Sequence, residues 1–136
     1  MAAIDSVIRT EEDGSLSFGD YLSLEKKKAS DYEADGDLYK VKTHKAMTRL
    51  EKNGKLLLET VPGSVISHLR LAQRAVAFSA EGFENTRITL ELEPSKTYII
   101  NVNGEDIGCE HANITGKISF SMELTGAASP VSIIWS

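Results

Sequence analysis

The chain has one cysteine, Cys109, so an internal disulfide is excluded. A lone cysteine in a strand-like run is expected to be a small buried hydrophobe. Long apolar runs are missing too. No window approaches the roughly 18 consecutive apolar residues of a membrane helix, and Met1-Ala2-Ala3-Ile4-Asp5-Ser6 has neither the basic segment nor the apolar stretch of an export signal. The expectation is a cytoplasmic protein with no membrane partner.

Positive charge is the minority sign, with 15 Lys and Arg against 20 Asp and Glu and a net charge of -5. Such a surface repels a phosphate backbone, so nucleic acid is not expected as a partner. Glycine-rich phosphate loops and the Gly-x-Ser-x-Gly nucleophile elbow do not occur. His44, His68 and His111 lack metal-ligand spacing, and Cys109 with His111 two positions on would share a strand face without forming a recognised nucleophile pair. No cofactor, metal site or catalytic residue is assigned, and the chain is not expected to be an enzyme.

What the sequence does contain is strand patterning. Leu38-Tyr39-Lys40-Val41-Lys42-Thr43 puts Tyr39, Val41 and Thr43 on one face and two lysines on the other. Asn53-Gly54 separates two strand-like runs, and so does Asn103-Gly104; both dipeptides tolerate the positive φ of a two-residue hairpin turn. Ile88 to Leu92, Thr97 to Val102, Ile118 to Leu124 and Val131 to Trp135 alternate apolar and polar residues. Leu16 with Phe18 suggests a short strand. Asp20 to Ala34 fits either a solvated edge strand or a turn or two of helix, and Ser64 to Arg74 fits a short helix or, better, a strand. The count is about eight to ten short strands with turn signals every 8 to 12 residues, as in a sandwich or barrel. A chain of 136 residues is enough for one core. The expected fold is a single all-β domain over 1–136, an antiparallel, jelly-roll-like β-sandwich with little helix.

Asp31-Tyr32-Glu33-Ala34-Asp35-Gly36-Asp37-Leu38 spaces oxygens and a glycine much as a calcium loop does, but the twelfth position is Lys42, a cation where the metal needs a bidentate acid. An acidic turn leading into the Tyr39 strand is the expected structure. Tyr32 and Tyr39, flanking that turn, are the candidate ligand-binding residues, because aromatic faces beside carboxylates suit sugar rings. Tyr98 and Trp135 lie in register with aliphatic residues and read as core or interface. Lys26-Lys27-Lys28 reads as a solvated face or a guarded sheet edge.

Leu16-Ser17-Phe18-Gly19-Asp20-Tyr21, Asp35 to Thr43 and Leu50-Glu51-Lys52-Asn53-Gly54 together resemble a group of small bacterial proteins that carry an endosialidase-like label. No arginine triad with a tyrosine nucleophile accompanies them, so the resemblance implies no sialidase activity. Tyr98 to Leu124 is similar to the accessory β-sandwich ends of polysaccharide-degrading enzymes. Together the two resemblances imply a non-catalytic β-module. Leu56-Leu57-Leu58 and Ile133-Ile134 place apolar residues on both strand faces, which favours a homo-oligomer acting as a structural or protein-interaction unit. A carbohydrate-binding module with a glycan partner is the alternative, and a glycoside hydrolase the weakest reading.

Overall fold

The computed structural model describes residues 3–136; Met1 and Ala2, part of the stretch searched for an export signal, lie outside them. The chain runs through β1 (Ala3–Thr10), β2 (Leu16–Asp20), β3 (Lys27–Ala34), β4 (Asp37–His44), β5 (Met47–Lys52), β6 (Lys55–Val61), β7 (Val65–Ala72), β8 (Ala75–Glu81), β9 (Asn85–Glu91), β10 (Thr97–Val102), β11 (Glu105–His111), β12 (Lys117–Glu123) and β13 (Ser129–Ile134). One sheet has the order β1-β2-β7-β8-β13-β10-β11 and the other β12-β9-β6-β5-β4-β3. They stack as an antiparallel β-sandwich. Among the described residues no helix is long and apolar enough to cross a membrane.

Period-two alternation builds the core directly. Val41, Leu50, Leu58, Leu90 and Ile118 are successive cross-strand partners through β4, β5, β6, β9 and β12, and each is at most 3% exposed. Burying each such aliphatic side chain stabilises the fold by roughly 1.5–3 kcal/mol before chain entropy is counted. Phe18, Ile66, Val76, Phe78, Ile100 and Ile133 meet this row from the facing sheet, within the same buried cluster. One row nearer the end of the sandwich, three strands carry threonine instead: Thr43, Thr48 and Thr60 are partners across β4, β5 and β6 and are fully buried.

The turns follow from the dipeptides. Asn53-Gly54 has φ of 51° and 83° and Asn103-Gly104 has 54° and 82°, the left-handed pair that closes a two-residue hairpin. Asp35-Gly36 does the same between β3 and β4.

Among the described residues there are thirteen strands, more than the expected eight to ten. The extra ones are chiefly β1 and β3, both at sheet edges. An edge strand need not alternate, because much of it faces water; β3 is mostly exposed along its whole length. Within Asp20 to Ala34 only Lys27–Ala34 is the edge strand, with Lys27 and Lys28 on it, and residues 21–26 form the irregular connection from β2. Ser64 to Arg74 holds β7 (Val65–Ala72) and the turn that follows it, and not a helix. Cys109 is exposed, contrary to the expected buried position. It lies on β11, an edge strand exposed at all seven positions, so period alone could not reveal that neither face is covered. The Leu56-Leu57-Leu58 run does not expose an apolar outer face either. The register breaks between Leu50 and Glu51 opposite it, and Leu57 turns inward together with Leu58.

Candidate functional site

Tyr32 and Tyr39 are direct cross-strand partners in the β3–β4 hairpin. Tyr39 is 6% exposed; burial, then the charges of Asp37 and Asp35, push its phenol above the usual value. Tyr32 is half-buried against the core, with its hydroxyl 2.8 Å from Thr10 Oγ1. The hairpin thus turns both rings toward the interior, and neither offers a whole aromatic face to a sugar. The Asp31 to Asp37 carboxylates are spread along two strands and a turn instead of wrapping a point in space. Asp37 Oδ1 accepts from Asn53 Nδ2 at 2.9 Å, and Lys52 lies 3.6 Å from its other oxygen. Among the described residues no three His, Cys, Asp or Glu side chains converge enough to hold a metal ion.

At the same end of the sandwich a cleft of about 440 Å³ opens between the β1–β2 turn, the β3–β4 turn and the end of β7. Tyr39 lines it together with Asp13, Asp35, Asp37, Lys52 and Arg70. Asp13 is the organising group. Its Oδ1 accepts from the Ser15 backbone N–H at 2.9 Å and from Ser15 Oγ at 2.5 Å, and its Oδ2 pairs with Arg70 Nη2. The Ser15 hydrogen bonds first, and then Arg70, hold this carboxyl well below the usual carboxylate range. An ionised Asp13 can only accept, so the Ser15 proton points to it.

That assignment decides how to interpret a third neighbour. His68 Nδ1 is 3.2 Å from Ser15 Oγ and 3.9 Å from Asp13 Oδ2, a serine, histidine and aspartate cluster that no sequence motif announced. In a proton relay the imidazole would take the serine proton on one nitrogen and face the carboxylate with the other. Here both neighbours sit at Nδ1, and the hydroxyl already donates to the carboxylate. With its proton committed, Ser15 Oγ accepts from Nδ1–H. The cluster is a polar clasp tying the β1–β2 turn to β7. Its two contacts with β7 join residues 53 and 57 positions apart, so no local motif in the sequence announced it.

Two shallower features lie on the outer faces. On the seven-stranded sheet a groove of about 370 Å³ runs over the small side chains Ala77, Ser79 and Ser132, between Arg70 and Asn101. Alongside it, Ile134, Ile99 and Cys109 are successive cross-strand partners through β13, β10 and β11. Ile134 is 48% exposed, Ile99 44% and Ile107, beside them on β11, 48%. His111 shares the exposed strand but binds Thr97 Oγ1 through Nδ1 at 3.0 Å and does not pair with Cys109. The outward Ile134 agrees with the alternation of Ile133 and Ile134.

Comparison of the chain with protein-family models, with curated proteins and with solved structures finds no match.

Proposed function

We propose that the chain is a self-associating β-module, a structural or protein-interaction unit that works by docking. The observation that supports this reading most is the exposed apolar row Ile134, Ile99 and Cys109, with Ile107 beside it. Contiguous apolar surface at roughly 25 cal/mol per Å² is costly to leave in water and marks contact faces when it is grouped. Two isoleucines and a cysteine that are cross-strand partners on neighbouring strands are grouped in this way. Glycan binding has thinner support, because Tyr39 is buried and Tyr32 half-buried. Light scattering on the full chain over a micromolar concentration series tests the reading: a rising mass supports it, and a monomer at every concentration removes it.

A further inference from the structure

Among the described residues the two open sheets leave four edge strands, β1, β11, β12 and β3. Edges are ordinarily blunted, because their free N–H and C=O groups would pair with another chain. Three of these edges are broken by irregular register: β1 between Ala3 and Ile8, β11 opposite the Ile100–Asn101 step, and β3 between Ala29 and Tyr32. Each also carries a residue of positive φ, Val7, Gly108 and Asp31 respectively. The fourth is different. β12 pairs with β9 without a break from Lys117↔Glu91 to Glu123↔Asn85, and none of its residues has positive φ. At its first residue, however, the Lys117 N–H donates to Asn113 Oδ1 at 3.0 Å and the Lys117 C=O accepts from the Asn113 N–H at 3.4 Å. The free template therefore runs from Ile118 to Glu123, and Lys117 offers it only a side chain.

Its sequence is also symmetric in chemistry. Lys117-Ile118-Ser119-Phe120-Ser121-Met122-Glu123 reads the same from either end about Phe120: charge, apolar, serine, aromatic, serine, apolar, opposite charge. Antiparallel pairing with a second β12 about a twofold axis at Phe120 sets each Lys117 against a Glu123, each Ile118 against a Met122, each Ser119 against a Ser121, and Phe120 against its counterpart. Cross-strand neighbours of this kind stabilise a pair of strands, and opposite charges do so best when nothing else claims them. The side chains of Lys117 and Glu123 are exposed and make no ion pair with any described residue. Phe120 is only half-buried while Ile118 and Met122 beside it are buried, so the centre of the edge retains apolar surface to cover. A slip of one residue would set Lys117 against Met122 or Leu124 and break both ion pairs, which fixes the register.

We infer that β12 is the joint of a homodimer, in which the six-stranded sheets of two copies continue into one another through antiparallel β12 pairs centred on Phe120. This rests on the self-association proposed above and places it at the β12 edge, a surface apart from the Ile134, Ile99 and Cys109 row. The required twofold is perpendicular to the sheet, so the interface is isologous and both seven-stranded sheets lie on the same side of it. The exposed β11 strands, which adjoin β12, then flank the joint.

Charge swapping tests the register, using light scattering and sedimentation of the full chain. Lys117→Glu and Glu123→Lys each turn both ion pairs of the dimer into like-charge pairs and are expected to weaken dimerisation on the order of tenfold or more. The double variant, and an equimolar mixture of the two single variants, restore opposite charges at every position and are expected to dimerise as the unaltered chain does. Both side chains are exposed, so at concentrations where the parent is monomeric the single variants should melt close to it, Lys117→Glu slightly lower because it faces Glu91 on β9. If the unaltered chain self-associates and the single variants do so equally well, the β12 joint is wrong while self-association stands. If the unaltered chain is monomeric throughout, both fall.

Discussion

Thr48 and Ser64 are hydrogen-bonded to each other twice: the Ser64 backbone N–H donates to Thr48 Oγ1 at 3.0 Å, and the Thr48 hydroxyl donates to the Ser64 carbonyl at 2.9 Å. With its proton used there, Thr48 Oγ1 accepts from the Thr43 hydroxyl at 2.8 Å, and Thr43 Oγ1 accepts from the Asp20 N–H at 2.9 Å. The result is a one-way chain of donors from the end of β2, through β4 and β5 of the facing sheet, to the residue before β7. Thr60 adds a contact of 2.7 Å to Ser64 Oγ. A buried polar chain with every member satisfied pins the two sheets at one relative position.

Thr48→Val keeps the shape and removes the hub. It leaves the Ser64 N–H and C=O unpaired in a dry interior, at about 1–3 kcal/mol for each such group. The urea midpoint should fall with no change in slope, and Thr48→Ser should recover most of the loss.

Gly63 offers a steric test free of unusual backbone angles. A Cβ there would lie 2.0 Å from the His44 carbonyl oxygen, whereas one at Gly36 would meet nothing within 4 Å. Gly63→Ala should cost about 3 kcal/mol or more through displaced backbone. Gly36→Ala, at φ +84° in an open turn, should cost roughly 1–2 kcal/mol from conformation alone. Equal midpoints for the two would contradict the packing described at Gly63.

The alkaline limit of stability should involve Tyr21. Its hydroxyl donates to Glu81 Oε2 at 2.9 Å; burial first, then this carboxylate, push the phenol up to about 12. A folded pKa above the ordinary value near 10 means that the stabilisation is complete below about pH 10 and is lost as pH rises toward 12. Ultraviolet titration should show Tyr21 ionising late, and Tyr21→Phe should reduce the loss of stability over that interval.

Acid should act on Asp13 with the opposite sign. The Ser15 hydrogen bonds and Arg70 lower its pKa, so its stabilising effect is present above the usual carboxyl value of about 3.9 and disappears as pH falls through the lower folded value. Asp13→Asn should flatten the acid side of a plot of urea midpoint against pH and leave the neutral region less stable than in the parent chain. An unchanged acid slope would mean that the clasp does not persist in solution.

Much of the architecture was legible because strand patterning is local. Tyr39, Val41 and Thr43 fell on the buried face as their spacing implied, and the Asn-Gly turns closed the expected hairpins. Edges were harder. β1 and β3 were missed or left ambiguous because a strand wet on much of its surface has no reason to alternate, and Cys109 was misplaced because β11 has no covering layer on either side. The clasp of Asp13, Ser15, His68 and Arg70 was invisible, since its members come from distant strands and no motif binds them together.

The sequence by itself determined an all-β chain, its main hairpins and the alternation within single strands such as Leu38 to Thr43 and Ile118 to Leu124, because side-chain alternation and turn conformation depend on neighbours along the chain. Only the tertiary structure decided which strands end the sheets, where register breaks blunt them, and that Tyr32 and Tyr39 face inward. Those outcomes depend on which strand lies beside which and on what covers each face, and contacts between distant segments, not local spacing, set both.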